Sequence, residues 1–322
     1  MTTKEKKFEY KGMMAPTFTP FNPDGSLNLA IIPRYAQLLH DGGVTGVFVN
    51  GTNGEGMSLT TAERKLVAEA WAKSRGMAGK VVIQVGGLNL RDSQELARHA
   101  VSIGASAIAC LPHLYDKPGT IAELVAYCKE VASAAPEIPF LYYHIPFKTG
   151  VELPMDKFLE AASLEIPNLA GLKFTSMEVE TEGYGCLKAV GGSMTVLNGF
   201  DEVMSKSRRV GFHGAIGGCL NFMPLEAGRL LCLSGIADDD GSTCCVPRLE
   251  RLDEIYRLQN RINTLWDIVR KHCGCSFVSG AKFVMKSLTG VDVGPARKPQ
   301  QPLSEETEKL LSDERRENNY PY

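Results

Sequence analysis

Eight times between Met13 and Gly214 the chain repeats one pattern: a short β-prone apolar run, a break, and a helical stretch. The runs begin near Met13, Val44, Val81, Ala107, Pro139, Leu169, Met194 and Gly214, spaced by 20 to 37 residues. Strands separated by helices of that length pair in parallel, because each helix carries the chain back across the sheet. Eight such units over about 230 residues predict an α/β fold, a (β/α)8 (TIM) barrel, close to its usual size of ~250 residues. An open, doubly wound sheet is the competing arrangement. The gaps carry helix signals. Thr60 and Thr61 with Glu63 read as a cap and acidic first turn for a helix running through Trp71. Asp92 to Glu95 opens another, with apolar residues on one face to Val101.

From Leu249 the pattern changes to helix alone: Leu249 to Lys271, Phe277 to Leu288 and Ser304 to Leu311. Val291 to Pro299 reads as an extended linker between them. Ser234 to Val246, with three successive aspartates, reads as a surface loop. The expected division is a barrel over 11–233, a helical extension over 247–312, and a loose tail over 313–322.

The bulk properties narrow the function classes. A formal net charge of −2 argues against nucleic acid or an anionic membrane as partner. No apolar run approaches the ~20 residues of a membrane span. The polar start, MTTKEKKFEY, does not resemble a secretory signal, so the cytoplasm is the expected location. The nine cysteines are then expected as free thiols, and none of them has C-x-x-C zinc spacing. The six histidines, at 40, 99, 113, 144, 213 and 272, form no H-x-H or H-x-x-x-H pair. No metal and no cofactor are expected, and no G-x-S-x-G nucleophile elbow is present.

In a barrel of this kind the chemistry sits at the C-terminal ends of the strands. Several unusual stretches fall there. Val49-Asn50-Gly51-Thr52-Asn53-Gly54-Glu55-Gly56 follows the second strand. It has the glycines of an anion-binding turn but not the lysine of a phosphate loop. Tyr142-Tyr143-His144-Ile145-Pro146 ends the fifth strand, where alternation puts Tyr143 on the opposite face from Tyr142 and His144. Lys173 lies near the end of the sixth strand. Such a lysine either snorkels to water or loses solvation, and desolvation favours the neutral amine, a nucleophile able to condense with a ketone. A phenol beside it could serve as general acid or base, or simply pack. Asp201 and Glu202 open the helix after the seventh strand. They fit its dipole, and they could equally accept hydrogen bonds from sugar hydroxyls. Two carboxylates there disfavour a phosphorylated substrate.

Together, Gly51-Thr52-Asn53-Gly54-Glu55, Tyr142 to Pro146, Gly171-Leu172-Lys173-Phe174-Thr175 and Gly199-Phe200-Asp201-Glu202 resemble the N-acetylneuraminate lyase and dihydrodipicolinate synthase superfamily. The resemblance runs from about Lys11 to Pro299 and includes Val293-Gly294-Pro295-Ala296-Arg297-Lys298-Pro299. It implies a pyruvate-dependent class I aldolase. Lys173 would form the Schiff base, Tyr143 would shuttle protons, and Thr52 would relay protons to Tyr143. The amides around Thr52 and Asn53 would bind the pyruvate carboxylate. Asp201 and Glu202 would hold the sugar's polyol chain, with Thr175, Gly199, Gly217 and Gly218 nearby. A homotetramer acting on a small-molecule 2-oxo sugar acid is expected.

Asp201-Glu202 and the Tyr-Tyr-His-Ile-Pro run favour the sialic acid lyase branch. Four positions depart from the pattern: Asn53 stands for a second threonine, Gly218 for a serine, Tyr115 lies one place late, and Lys148 is typical of neither branch. Another 2-oxo acid aldolase, a dihydrodipicolinate synthase-like enzyme, or a sugar-acid-binding homologue without activity are the alternatives.

Overall fold

The computed structural model describes residues 8–77, 80–235, 248–274 and 277–320. Eight parallel strands close a barrel in sequence order: β1 (Gly12–Pro16), β2 (Gly46–Val49), β3 (Val81–Gln84), β4 (Ala107–Cys110), β5 (Phe140–His144), β6 (Leu169–Phe174), β7 (Thr195–Asn198) and β8 (Gly214–Ala215). Closure comes from β8 against β1, with Gly12 opposite Gly214 and Met13 opposite Ala215. Around it run α1 (Ile32–Asp41), α2 (Thr61–Ala72), α3 (Leu90–Ser102), α4 (Ile121–Ala132), the single turn α5 (Pro146–Thr149), α6 (Met155–Glu165), α7 (Glu182–Lys188), α8 (Met204–Val210) and α9 (Pro224–Ser234). The barrel, rather than the open sheet, is the observed arrangement.

The strands are buried on both faces, so their sequences are continuous apolar runs rather than alternating ones. Inward residues, among them Met14, Phe48, Val82, Ala109, Leu141, Tyr143, Leu197 and Ile216, fill the barrel. Outward residues such as Val47, Ile83, Tyr142 and Val196 pack beneath the helices in a second, larger cluster. The helix starts follow local chemistry. Thr60 and Thr120 each form a capping box, with Glu63 and Glu123 reaching back to the cap backbone.

Three more helices, α10 (Arg248–Cys273), α11 (Phe277–Thr289) and α12 (Glu305–Glu317), pack on this body. The segment from Val291 to Pro299 forms neither helix nor strand, and it is not a free linker: Val291, Val293 and Ala296 are buried. The tail expectation is corrected. The last helix runs past Leu311 to Glu317, with Leu311, Arg315 and Tyr320 buried. Lys271 and His272 on α10 both reach Glu314, at 2.7 and 2.6 Å. Most of the expected loop over Ser234 to Val246, and Cys244, Cys245 and Cys275, lie outside the described residues. The six described cysteines are free thiols. No described helix is long and apolar enough to cross a membrane.

Candidate active site

Lys173 is the fifth residue of β6 and points into the barrel, where it is 4% exposed. Its Nζ lies 4.5 Å from the Phe48 ring centre and 4.3 Å from that of Tyr143. Two aromatic faces therefore line the approach to an amine held away from bulk water. Tyr143 stands beside it on β5, in register with Lys173, and meets Phe48 edge to face at 5.3 Å. The expected alternation holds: Tyr142 packs on Phe158 and His144 stacks on Phe174, both outside the barrel. Burial pulls the His144 imidazole down to about 4.

The loop after β2 brings Thr52 over this pair. Thr52 Oγ1 lies 3.0 Å from the Tyr143 hydroxyl. The loop folds back on itself: the Glu55 amide donates to Thr52 O, and the Gly56 amide to Gly51 O. Asn53 is buried in the same turn. Its amide nitrogen would be 3.2 Å from a Cβ placed at Gly218, so this loop and the exit of β8 meet over the barrel mouth.

Thr175 and Gly199 complete the wall above Lys173. A Cβ at Gly199 would lie 2.1 Å from Thr175 Oγ1 and 3.2 Å from Lys173 Cε, so only glycine lets both side chains keep their places. Thr175 Oγ1 is buried and has no hydrogen-bond partner among the described residues, which leaves a hydroxyl for a bound molecule.

Asp201 enters from the turn after β7. One carboxylate oxygen accepts the Cys219 amide at 2.9 Å and the Trp266 indole N–H at 2.7 Å. The other oxygen lies over Gly217, where a Cβ would approach it to 2.0 Å. Burial raises the Asp201 carboxyl above its ordinary range, while those donors and nearby Lys173 oppose the shift. The Trp266 ring occupies the space above Gly218, 2.8 Å from a Cβ there, so a serine hydroxyl and this indole exclude one another. Glu202 behaves differently from its neighbour. It is ion-paired with Arg270 on α10, which also holds Asp267 at 2.8 Å.

The fold thus gathers Lys173, Tyr143, Thr52, Asn53, Thr175, Gly199, Asp201, Gly217 and Gly218 at one end of the barrel, with Glu202 beside them and tied to Arg270. Lys148 is exposed on α5, and its neighbour Phe147 stacks on Phe200 at 5.2 Å. Tyr115 is 83% exposed on the single chain. Trp266, Arg270 and Cys219 were not anticipated. The first two sit in an amphipathic helix whose pattern does not say which residue docks on the barrel mouth, and the thiol reads as a small apolar residue. Among the described residues, no group of three or more His, Cys, Asp or Glu could hold a metal ion.

The sequence profile described as the dihydrodipicolinate synthetase family matches residues 9–314. N-acetylneuraminate lyase of Gallus gallus is 35% identical over 306 residues, covering 94% of each chain. In three dimensions the chain is similar to the N-acetylneuraminate lyase of Proteus mirabilis, with a TM-score of 0.86 and 30% identity over 97% of this chain and 99% of that one. It is also similar to the N-acetylneuraminate lyase (sialic acid aldolase) of Aliivibrio salmonicida, with a TM-score of 0.87 and 30% identity over 98% of both.

Proposed function

The chain belongs to the dihydrodipicolinate synthetase family and is a lyase of the aldolase kind, and from this premise we propose that it cleaves N-acetylneuraminate reversibly to pyruvate and N-acetylmannosamine through a Schiff base on Lys173. The observation that carries the reading is the convergence of Lys173, Tyr143 and Thr52, with the phenol hydroxyl 3.0 Å from the threonine and its ring against the amine.

The proposed steps follow from that geometry. Lys173 Nζ attacks the C2 ketone, and loss of water leaves a protonated imine. Tyr143 takes the proton of the C4 hydroxyl, with Thr52 passing it onward. The C3–C4 bond breaks. Its electron pair moves into the C2–C3 bond while the C=N pair settles on nitrogen, giving an enamine and a free aldehyde. Protonation at C3 and attack of water at C2 then release pyruvate and restore the amine. The turn at Thr52 and Asn53 offers backbone amides to the C1 carboxylate. Thr175 Oγ1 and the Asp201 oxygen over Gly217, whose one other partner among the described residues is the Cys219 thiol at 3.3 Å, offer polar atoms to the hydroxyls beyond C4.

The experiment is to supply N-acetylneuraminate and measure pyruvate with a coupled dehydrogenase. Turnover abolished by Lys173→Met supports the reading, and no pyruvate from the wild-type protein refutes it. A second reading, a related 2-oxo-3-deoxy acid with a different aldehyde half, is favoured by one observation: Glu202 is already paired with Arg270, so one of two sugar-facing acids is engaged. Cleavage of a shorter sugar acid in preference to N-acetylneuraminate would select it. The proposed enzyme is a cytoplasmic homotetramer, in which the exposed Tyr115 would be covered by a neighbouring subunit; sedimentation would read the subunit number.

A further inference from the structure

The last residue of the Gly51–Glu55 turn is tied to a helix outside the barrel. Glu55 has a left-handed backbone, φ 51°, which costs a non-glycine residue energy unless its surroundings hold it. Its side chain is fully buried, and one carboxylate oxygen lies 2.6 Å from Lys282 Nζ on α11. The other accepts the Arg297 backbone N–H at 2.7 Å. Lys282 is 2% exposed and places its remaining hydrogens on Thr19 O at 2.8 Å and Pro295 O at 3.0 Å. Thr19 in turn donates its hydroxyl to Gly54 O at 2.6 Å. The Arg297 guanidinium grips the far side, with two bonds to Glu63 at 2.8 Å and one to Ser58 O at 3.0 Å. The turn is thus held from Gly54 to Glu63 by α11 and the segment after it.

A buried ion pair contributes little to stability compared with apolar side chains of the same volume, so packing alone does not account for this one. It does fix geometry. Removing the ammonium would leave a buried carboxylate without its counter-charge, and the backbone carrying it would move. Asn53 and Thr52 are two and three residues away, and the turn is closed by the hydrogen bond from the Glu55 amide to Thr52 O. Any rotation at Glu55 is passed along this turn to Thr52 and Asn53.

We propose that Lys282 is a positioning residue for substrate carboxylate binding: through Glu55 it holds the Thr52–Asn53 turn in the shape that receives the carboxylate of the 2-oxo acid. This rests on the reading of the site as a Schiff-base aldolase. Displacements of an ångström at such a site cost about tenfold to hundredfold in the reaction they serve.

The test compares two ketones trapped on the protein by borohydride: pyruvate, and hydroxyacetone, which lacks the carboxylate. In Lys282→Met the half-saturating pyruvate concentration rises about tenfold or more, while that for hydroxyacetone stays within about twofold and the same amount of adduct forms at saturation. Should that variant fold poorly, Glu55→Gln, which keeps the shape and the Arg297 contact, shows the same selective loss. The double variant loses no more than the worse single one, because both changes break one link. Equal weakening of both ketones, additive losses, or unchanged pyruvate binding in a folded variant overturns the proposal. If wild-type protein traps pyruvate and the variants match it, only this inference fails. If wild-type protein traps no pyruvate, the aldolase reading fails and this inference falls with it.

Discussion

The Tyr143 hydroxyl and Thr52 Oγ1 lie 3.0 Å apart, joining the fifth strand to the loop after the second above the Lys173 amine. A phenol in this position can exchange a proton with a substrate hydroxyl and with Thr52 without moving its ring. Tyr143→Phe therefore lowers kcat by about 10²–10⁴-fold, the usual worth of a general acid–base group. Imine trapping should survive, because the amine and its aromatic walls remain. Steady-state kinetics and borohydride trapping on the same sample check both halves.

Gly218 and Trp266 form a matched pair. Gly218→Ser drives a Cβ to 2.8 Å from the indole and destabilises the fold by about 1–3 kcal/mol, as overpacked cores do. Trp266→Leu is itself destabilising, but in that background Gly218→Ser costs little more, because the two side chains no longer compete for one space. Denaturant midpoints of the two variants measure it; a serine tolerated beside Trp266 would show that the ring moves freely.

Trp266→Phe keeps the stacking surface but removes the N–H that meets Asp201 at 2.7 Å. The buried carboxylate keeps the Cys219 amide and loses its second strong donor, at a cost of about 1–3 kcal/mol. The expected result is lower stability together with a raised KM for the sugar acid, since the carboxylate is no longer held over Gly217. KM unchanged in a destabilised variant would confine the indole to packing.

His144 gives the fold an acid sensitivity. Its imidazole is held down to about 4 by burial, against about 6.5 when unfolded. The unfolded chain therefore binds the proton first. This contribution is intact above pH 6.5 and is lost as pH falls from 6.5 towards 4, by roughly 3 kcal/mol in all. His144→Phe, which cannot titrate, should flatten the fall in unfolding free energy across that range. Equal slopes for the two proteins would contradict it.

The strand pattern announced the barrel because parallel strands buried on both faces must be short apolar runs, and period-two alternation separated Tyr143 from Tyr142 and His144. Lys173 stood out for a related reason, as a charge inside such a run. The contributions of α10 and α11 were not visible. Trp266, Arg270 and Lys282 sit on amphipathic helices far along the chain, and their partners are chosen by tertiary docking rather than by spacing. The close of the chain departs from the usual looseness of termini. The segment after Leu311 is rich in charge, yet it continues as helix and buries Arg315 and Tyr320 against the body. An arginine is ordinarily read as exposed, and only the packed structure places it inside.

The Schiff base on Lys173 is read out by adding pyruvate and borohydride to the wild-type protein, digesting it, and mapping the modified peptide by mass spectrometry. The expected result is one reduced pyruvate per chain, carried by Lys173 and lost in Lys173→Met. An unmodified protein at saturating pyruvate, or an adduct carried by another lysine, would contradict it.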